Sequence, residues 1–162
     1  MTQKFTVVFD LDGTLVDTAP DLMLAHNHVM KKFGYPSKSL DQSFEILQSK
    51  TKAQLLILTL GEEGSIGKTS NFEVKISSKK ISDLRDTVGA GDTYMASILN
   101  WFVDHKIYNI NLVKNLKKPD LSSMMDKASI AAALNCKKIG CNPPSREDIE
   151  IFINKENFEN NA

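Results

Sequence analysis

Cysteine is scarce in this sequence: Cys136 and Cys141 are the only two in 162 residues. Two thiols cannot build a disulfide framework, and neither has the additional cysteine or histidine neighbours of a zinc site, so a reduced interior is expected. A surplus of one charge is also missing. Twenty Lys and Arg residues balance twenty Asp and Glu residues, which removes any global pull toward nucleic acid or a membrane surface. Long apolar runs are absent too. Residues 5–9 are cut off by Asp10, and residues 55–60 are only strand length, so neither can serve as a signal core or a membrane span. These absences point to a cytoplasmic protein handling small molecules. The composition, 41% hydrophobic and 25% charged, is that of a globular chain. Its length allows one complete domain and excludes two complete enzymes.

Periodicity gives an α/β order. Residues 5–9 are aromatic and β-branched and end at an acidic, glycine-containing loop, the pattern of a buried strand. Residues 20–33 carry apolar side chains near the helical period and stop at Gly34 and Pro36. Residues 39–52 form a second amphipathic helix, residues 53–60 a strand closed by Gly61, and residues 65–68 and 72–76 a hairpin. Residues 93–105 carry a helical stripe of Tyr94, Ile98, Trp101 and Phe102. Residues 114–122 are polar and contain Pro119, which suggests a connection. Residues 123–137 are Ala-rich and helical, Pro143 and Pro144 mark a turn, residues 146–153 form a last helix, and the tail from 154 is expected to fray.

Several residues outside these motifs have ordinary structural readings. His26 and His28, two apart on one helix, face different directions and cannot chelate one metal. Trp101, Met124 and Met125 suit core packing, and Lys79, Lys80, Lys117 and Lys118 suit solvated loops.

Two constellations carry chemistry. The first is Asp10 and Asp12, one residue apart where a buried strand opens to solvent. The bland alternative is an Asp-Gly turn. Paired carboxylates at a strand's carboxyl end otherwise favour a divalent cation with hard oxygen ligands, such as Mg²⁺. The string from Phe9 through Asp10, Leu11, Asp12, Gly13, Thr14, Leu15, Val16 and Asp17 to Thr18 resembles the first motif of the haloacid dehalogenase superfamily, in its phosphoglycolate-phosphatase type. That resemblance implies Asp10 as nucleophile, Asp12 as general acid/base, and Mg²⁺ held by both. It covers residues 1–38. No later strand supplies the further acidic pair that such a hydrolase needs for its metal.

The second constellation is Gly89, Ala90, Gly91 and Asp92. Small residues entering a helix leave backbone N–H groups free to converge on an anion at the positive end of the helix dipole. Asp92 sits beside that anion, placed to take a proton from an attacking alcohol. The run from Asp86 through Thr87, Val88, Gly89, Ala90, Gly91 and Asp92 to Thr93 resembles the signature of ribokinase-like (PfkB) carbohydrate kinases. Thr59, Leu60, Gly61, Glu62, Glu63, Gly64 and Ser65 resemble the preceding strand-end loop. Residues 128–135 and 140–146 resemble the family's final helix and closing turn.

The kinase resemblance implies Asp92 as catalytic base and Gly89, Ala90 and Gly91 as the anion hole. It implies Thr59, Gly61, Gly64 and Asn135 at the nucleotide, and Asp86, Val88 and Gly140 at a monovalent cation. It implies ATP and Mg²⁺, with K⁺ as the monovalent ion, and a nucleotide and a small sugar as partners, with a fructokinase- or ribokinase-like activity. The expected fold is an incomplete Rossmann-like α/β/α sheet of the ribokinase type, preceded by a foreign strand, loop and helix. The expected division is 1–38 phosphatase-like, 39–155 kinase-like, and 156–162 tail. The family's N-terminal half, which carries most sugar contacts, has no counterpart here. Losing a positioned alcohol forfeits a proximity term of up to about 7–11 kcal/mol, so weak or absent turnover is expected. A phosphatase using Asp10 and Asp12 and a non-catalytic fusion remnant are the alternatives. An uncovered sheet edge would favour self-association.

Overall fold

The structure, a computed structural model, describes residues 53–160 and, before them, residues 31, 32, 34, 42, 45, 49 and 50. The expected strand at 5–9, the acidic pair Asp10 and Asp12, and His26 and His28 lie outside the described residues. Of the two helices expected before residue 53, Lys31, Lys32, Gln42, Glu45, Ser49 and Lys50 are helical and Gly34 is in a turn.

Three strands follow. β1 (Leu55–Thr59), β2 (Ser65–Thr69) and β3 (Glu73–Ile76) form an antiparallel sheet in the order β1-β2-β3. A short 3₁₀ turn, Gly61–Glu63, reverses the chain between β1 and β2. Gly64 closes it at φ 100°, where a Cβ would meet the Ile76 carbonyl oxygen at 2.0 Å, so only glycine fits. At the β2–β3 turn Thr69 Oγ1 accepts hydrogen bonds from the amides of Asn71 and Phe72.

Four helices complete the described chain: α1 (Ala90–Asp104), α2 (Ile110–Lys114), α3 (Lys118–Cys136) and α4 (Arg146–Asn160). α3 is the spine. Its Leu121, Met124, Met125 and Ala128 are wholly buried, together with Val74 of β3 and Tyr94, Ile98 and Trp101 of α1. Leu55 and Ile57 of β1 pack against the same cluster. α3 approaches β2 closely because Gly67 has no side chain; a Cβ there would lie 2.4 Å from Met125 Sδ. The Trp101 ring stacks on His105, with centroids 3.7 Å apart and planes 15° apart. Among the described residues no helix is long and apolar enough to cross a membrane.

The helix boundaries differ from the sequence reading in four places; the first is α1, which begins at Ala90, three residues before 93, so Ala90, Gly91 and Asp92 form its first turn. α3 begins at Lys118, not 123, because Pro119 sits in its first turn, where a missing N–H costs nothing, and Asp120 accepts a hydrogen bond from the Lys117 amide. α2 forms where the sequence reading placed no element, between the helix at 93–105 and the connection at 114–122, because Asn109 caps it, its side chain accepting from the amides of Asn111 and Leu112. α4 continues past 153 to Asn160. Lys79 ties it down: this lysine bridges Asp126 of α3 at 3.1 Å and Glu156 of α4 at 3.0 Å. Lys79 is therefore no solvated loop charge. Burial alone would lower its pKa, but the hydrogen bonds to Glu156 and Asp126 outweigh it and raise the value.

Candidate functional site

The glycine turn ahead of α1 is built by its neighbours. Gly89 is buried and sits at φ 76°, the left-handed region, and serves as the helix N-cap. Cys141 seals its outer side: a Cβ on Gly89 would meet Cys141 Sγ at 2.3 Å and Cβ at 2.7 Å. The Ala90 amide is used inside the turn, donating to the Thr87 carbonyl at 3.1 Å, and the Thr93 amide begins the helical ladder on Gly89. The amides of Gly91 and Asp92 find no acceptor among the described residues. They stand at the helix end with the macrodipole behind them and the exposed Asp92 carboxylate beside them. Of the three residues expected to donate to an anion, Ala90 has its N–H engaged, and the Asp92 N–H is available in its place.

A polar clamp holds this turn to the end of α3. Asp86 accepts from the Val88 amide at 3.0 Å and, across 54 residues, from the Gly140 amide at 2.8 Å. The Arg85 amide donates to the Cys136 carbonyl at 2.9 Å. Asn135, with 0% exposure, donates through Nδ2 to the Val88 carbonyl and accepts through Oδ1 from the Asn142 amide, both at 2.8 Å. The structure thus brings together Asp86, Val88, Gly140 and Asn135, and both ends of the Asn135 amide are occupied by protein. Cys141 and Asn142 lie in the run 140–146 that resembles the family's closing turn, but no role was expected of either: Asn142 donates its amide to Asn135 and Cys141 packs against Gly89.

The strand-end loop is joined to the same helix. Ser65, one residue past Gly64, shares a 2.8 Å hydrogen bond with Tyr94, two residues past Asp92. Burial pushes the Tyr94 phenol up to about 12, against the opposing effect of the Ser65 hydrogen bond. Thr59 ends β1 and Gly61 opens the 3₁₀ turn at φ 57°. Among the described residues no three His, Cys, Asp or Glu side chains come together as a metal site.

The hydrogen bonds from Val88 and Gly140 lower the Asp86 pKa below the usual carboxylate range. A lowered folded value means that the clamp's contribution is complete above the ordinary carboxylate range. It is lost as pH falls through the depressed value, where the bound amides lose their charged acceptor. Urea midpoints measured from pH 7 down through pH about 3 should fall more steeply for the wild type than for Asp86→Asn. Parallel curves would show that the clamp does not depend on the charge.

A left-handed glycine capping a helix, open amides and a carboxylate in the first turn, set on an α/β core, make an arrangement able to accept an anion. The comparison with known families agrees: the model for the pfkB family carbohydrate kinases matches residues 27–148. The chain belongs to that family. Fructokinase from Vibrio cholerae O395, solved with fructose, ADP and calcium ion, superposes with a TM-score of 0.56 at 20% identity, covering 72% of this chain and 35% of that one. Ribokinase from Thermotoga maritima gives 0.57 at 20% identity, covering 79% and 39%. The fold is therefore of the ribokinase type, and the chain spans little more than a third of those structures.

The phosphatase resemblance is also present among curated proteins. Phosphoglycolate phosphatase of Vibrio parahaemolyticus serotype O3:K6 is 33% identical over 79 residues, 49% of this chain and 30% of that protein. The enzyme of Aliivibrio fischeri is 49% identical over 37 residues, 23% of this chain and 16% of that protein.

Proposed function

We propose that this chain binds the phosphates of ATP at the α1 N-terminus and acts as the nucleotide half of an ATP-dependent sugar kinase, with fructose or ribose as the acceptor class. The observation that carries this reading is the pair of open amides at Gly91 and Asp92 beside an exposed carboxylate. The amides would hold the transferring phosphoryl group, and Asp92 would accept the hydroxyl proton of the sugar. Gly89 keeps the approach free of side-chain bulk.

Thr59, Gly61 and Gly64, held near α1 by the Ser65–Tyr94 hydrogen bond, would line the nucleotide. Asn135 contributes by fixing the turn through Val88. Mg²⁺ would arrive on the nucleotide phosphates and supply charge neutralisation there. A monovalent cation such as K⁺ would sit by Asp86, Val88 and Gly140, against the lone pairs the clamp leaves open. The reaction would take place in the cytoplasm. The chain spans about a third of the length of the solved kinases, and on this reading turnover would be weak wherever the alcohol is left without positioning contacts.

A second reading rests on the partial phosphatase matches: hydrolysis of a phosphate ester by Asp10 and Asp12 with Mg²⁺. Both activities can be assayed on one preparation. The kinase reading expects ADP release that depends on fructose or ribose and disappears in Asp92→Asn. Phosphate release from an aryl phosphate that disappears in Asp10→Asn would instead support the hydrolase. Absence of both, with no nucleotide binding, would leave a non-catalytic fusion remnant.

A further inference from the structure

We infer that Tyr94 and Ser65 are positioning residues of the nucleotide site, and that their shared hydrogen bond sets nucleotide affinity by fixing the β1–β2 loop against the first turn of α1. The inference rests on the nucleotide reading of the α1 N-terminus. Ser65 is 2% exposed and Tyr94 5%, so both act from behind the surface that a ligand would meet.

The bond joins two bodies. Residues 60–64 close on themselves: the Leu60 amide donates to the Gly64 carbonyl at 2.7 Å, and the Glu63 and Gly64 amides donate to the carbonyls of Leu60 and Gly61, both at 3.1 Å. The loop therefore moves as one unit with Ser65 at its base, and Thr59 stands opposite Ser65 in the ladder. α1 is the second body. The sheet and α1 each pack against α3. Among the described residues, the 2.8 Å bond between Ser65 Oγ and Tyr94 Oη is the one hydrogen bond that links residues 59–65 directly to α1.

The helix carries this tie on the side away from the chemistry. Tyr94 lies two residues past Asp92, about 200° further around the helix; Asp92 is exposed and Tyr94 is buried. The turn is thus held from behind and the Asp92 side stays clear. A nucleotide with its phosphates on α1 and its remainder on the loop spans both bodies. Freedom between them must then be frozen on binding, which costs affinity, and fixing them beforehand removes that cost.

A buried hydroxyl pair can also serve stability alone, and the double variant separates the two roles. Tyr94→Phe strands the Ser65 hydroxyl and Ser65→Ala strands the Tyr94 hydroxyl, so each single variant loses stability. Replacing both partners by apolar groups strands neither and recovers most of the loss. The tie is missing in all three.

Urea midpoints and calorimetric titration with ATP and Mg²⁺, both on the full chain, read the two quantities. Each single variant and the double variant should bind about tenfold more weakly than the wild type. The double variant should stay weak although its midpoint returns toward the wild-type value. Affinity that recovers together with stability assigns the pair to stability alone and overturns the inference. So do single variants that bind as tightly as the wild type; both results leave the nucleotide reading standing. A wild type that takes up no ATP overturns the inference and that reading together.

Discussion

Replacing Gly89 by alanine is expected to lower the unfolding free energy by about 2–6 kcal/mol, the sum of two separate effects. The first is conformational. Gly89 sits at φ 76°, and a residue with a Cβ held there is strained by about 1–3 kcal/mol. The second is steric. The new methyl group would lie 2.3 Å from Cys141 Sγ, 2.7 Å from its Cβ and 3.1 Å from its Cα. The thiol can rotate away, but the Cα is backbone and belongs to the loop that Asn135 and Asp86 hold in place. Forcing atoms into such a site costs a further 1–3 kcal/mol or so. Denaturant midpoints measure the sum. Adding Cys141→Gly to the alanine variant should recover only part of the loss, because it removes the thiol and leaves the backbone strain. Full recovery would place the whole effect in the clash, and no loss at all would mean that the turn is free to open.

The second large effect separates binding from chemistry at α1. Asp92→Asn removes the proton acceptor while leaving the open amides, so nucleotide binding should persist and sugar-dependent turnover should fall by about 100- to 10,000-fold. Gly91→Pro does the opposite to the anion site. It deletes one open N–H at the second helical position, the place where Pro119 already sits in α3 without harm. The fold should survive and the nucleotide should be lost. If the asparagine variant loses binding as fully as the proline variant, the carboxylate is a ligand and not a base.

Much of the fold was legible because hydrophobic period carries it. The strand ending at Gly61, the β2–β3 hairpin and the Tyr94–Trp101 helix all came from local pattern, as did the core placement of Met124 and Met125. The errors share one cause, which is that a local polar or proline signal was outweighed by a specific partner. Pro119 reads as a break and is a helix start. The segment from 106 to 113 carries no element in the sequence reading, and Asn109 caps a short helix there. The Asn- and Glu-rich tail reads as frayed, and Lys79, far away in sequence, anchors it through Glu156.

The site divides in the same way. The Gly89–Asp92 cradle could be seen in the residues themselves, because small residues before a helix leave amides open. Periodicity could not show the clamp, because Asp86 reaches Gly140 and Asn135 reaches Val88 across 54 and 47 residues; only the kinase resemblance put Asp86, Val88 and Gly140 in one place, and it did not show Asn135 tied to them. Nor could the sequence show that the Ala90 amide is engaged within the turn.

Thermal unfolding with and without ATP and Mg²⁺ tests most directly whether the Gly91 and Asp92 amides receive a phosphate. Ligand at about 100 times its dissociation constant stabilises a folded protein by about 2.7 kcal/mol. The wild type and Asp92→Asn should both unfold several degrees higher with nucleotide, and Gly91→Pro should not move. A wild type indifferent to ATP, or a Gly91→Pro variant stabilised as much as the wild type, would contradict a nucleotide site at this helix end.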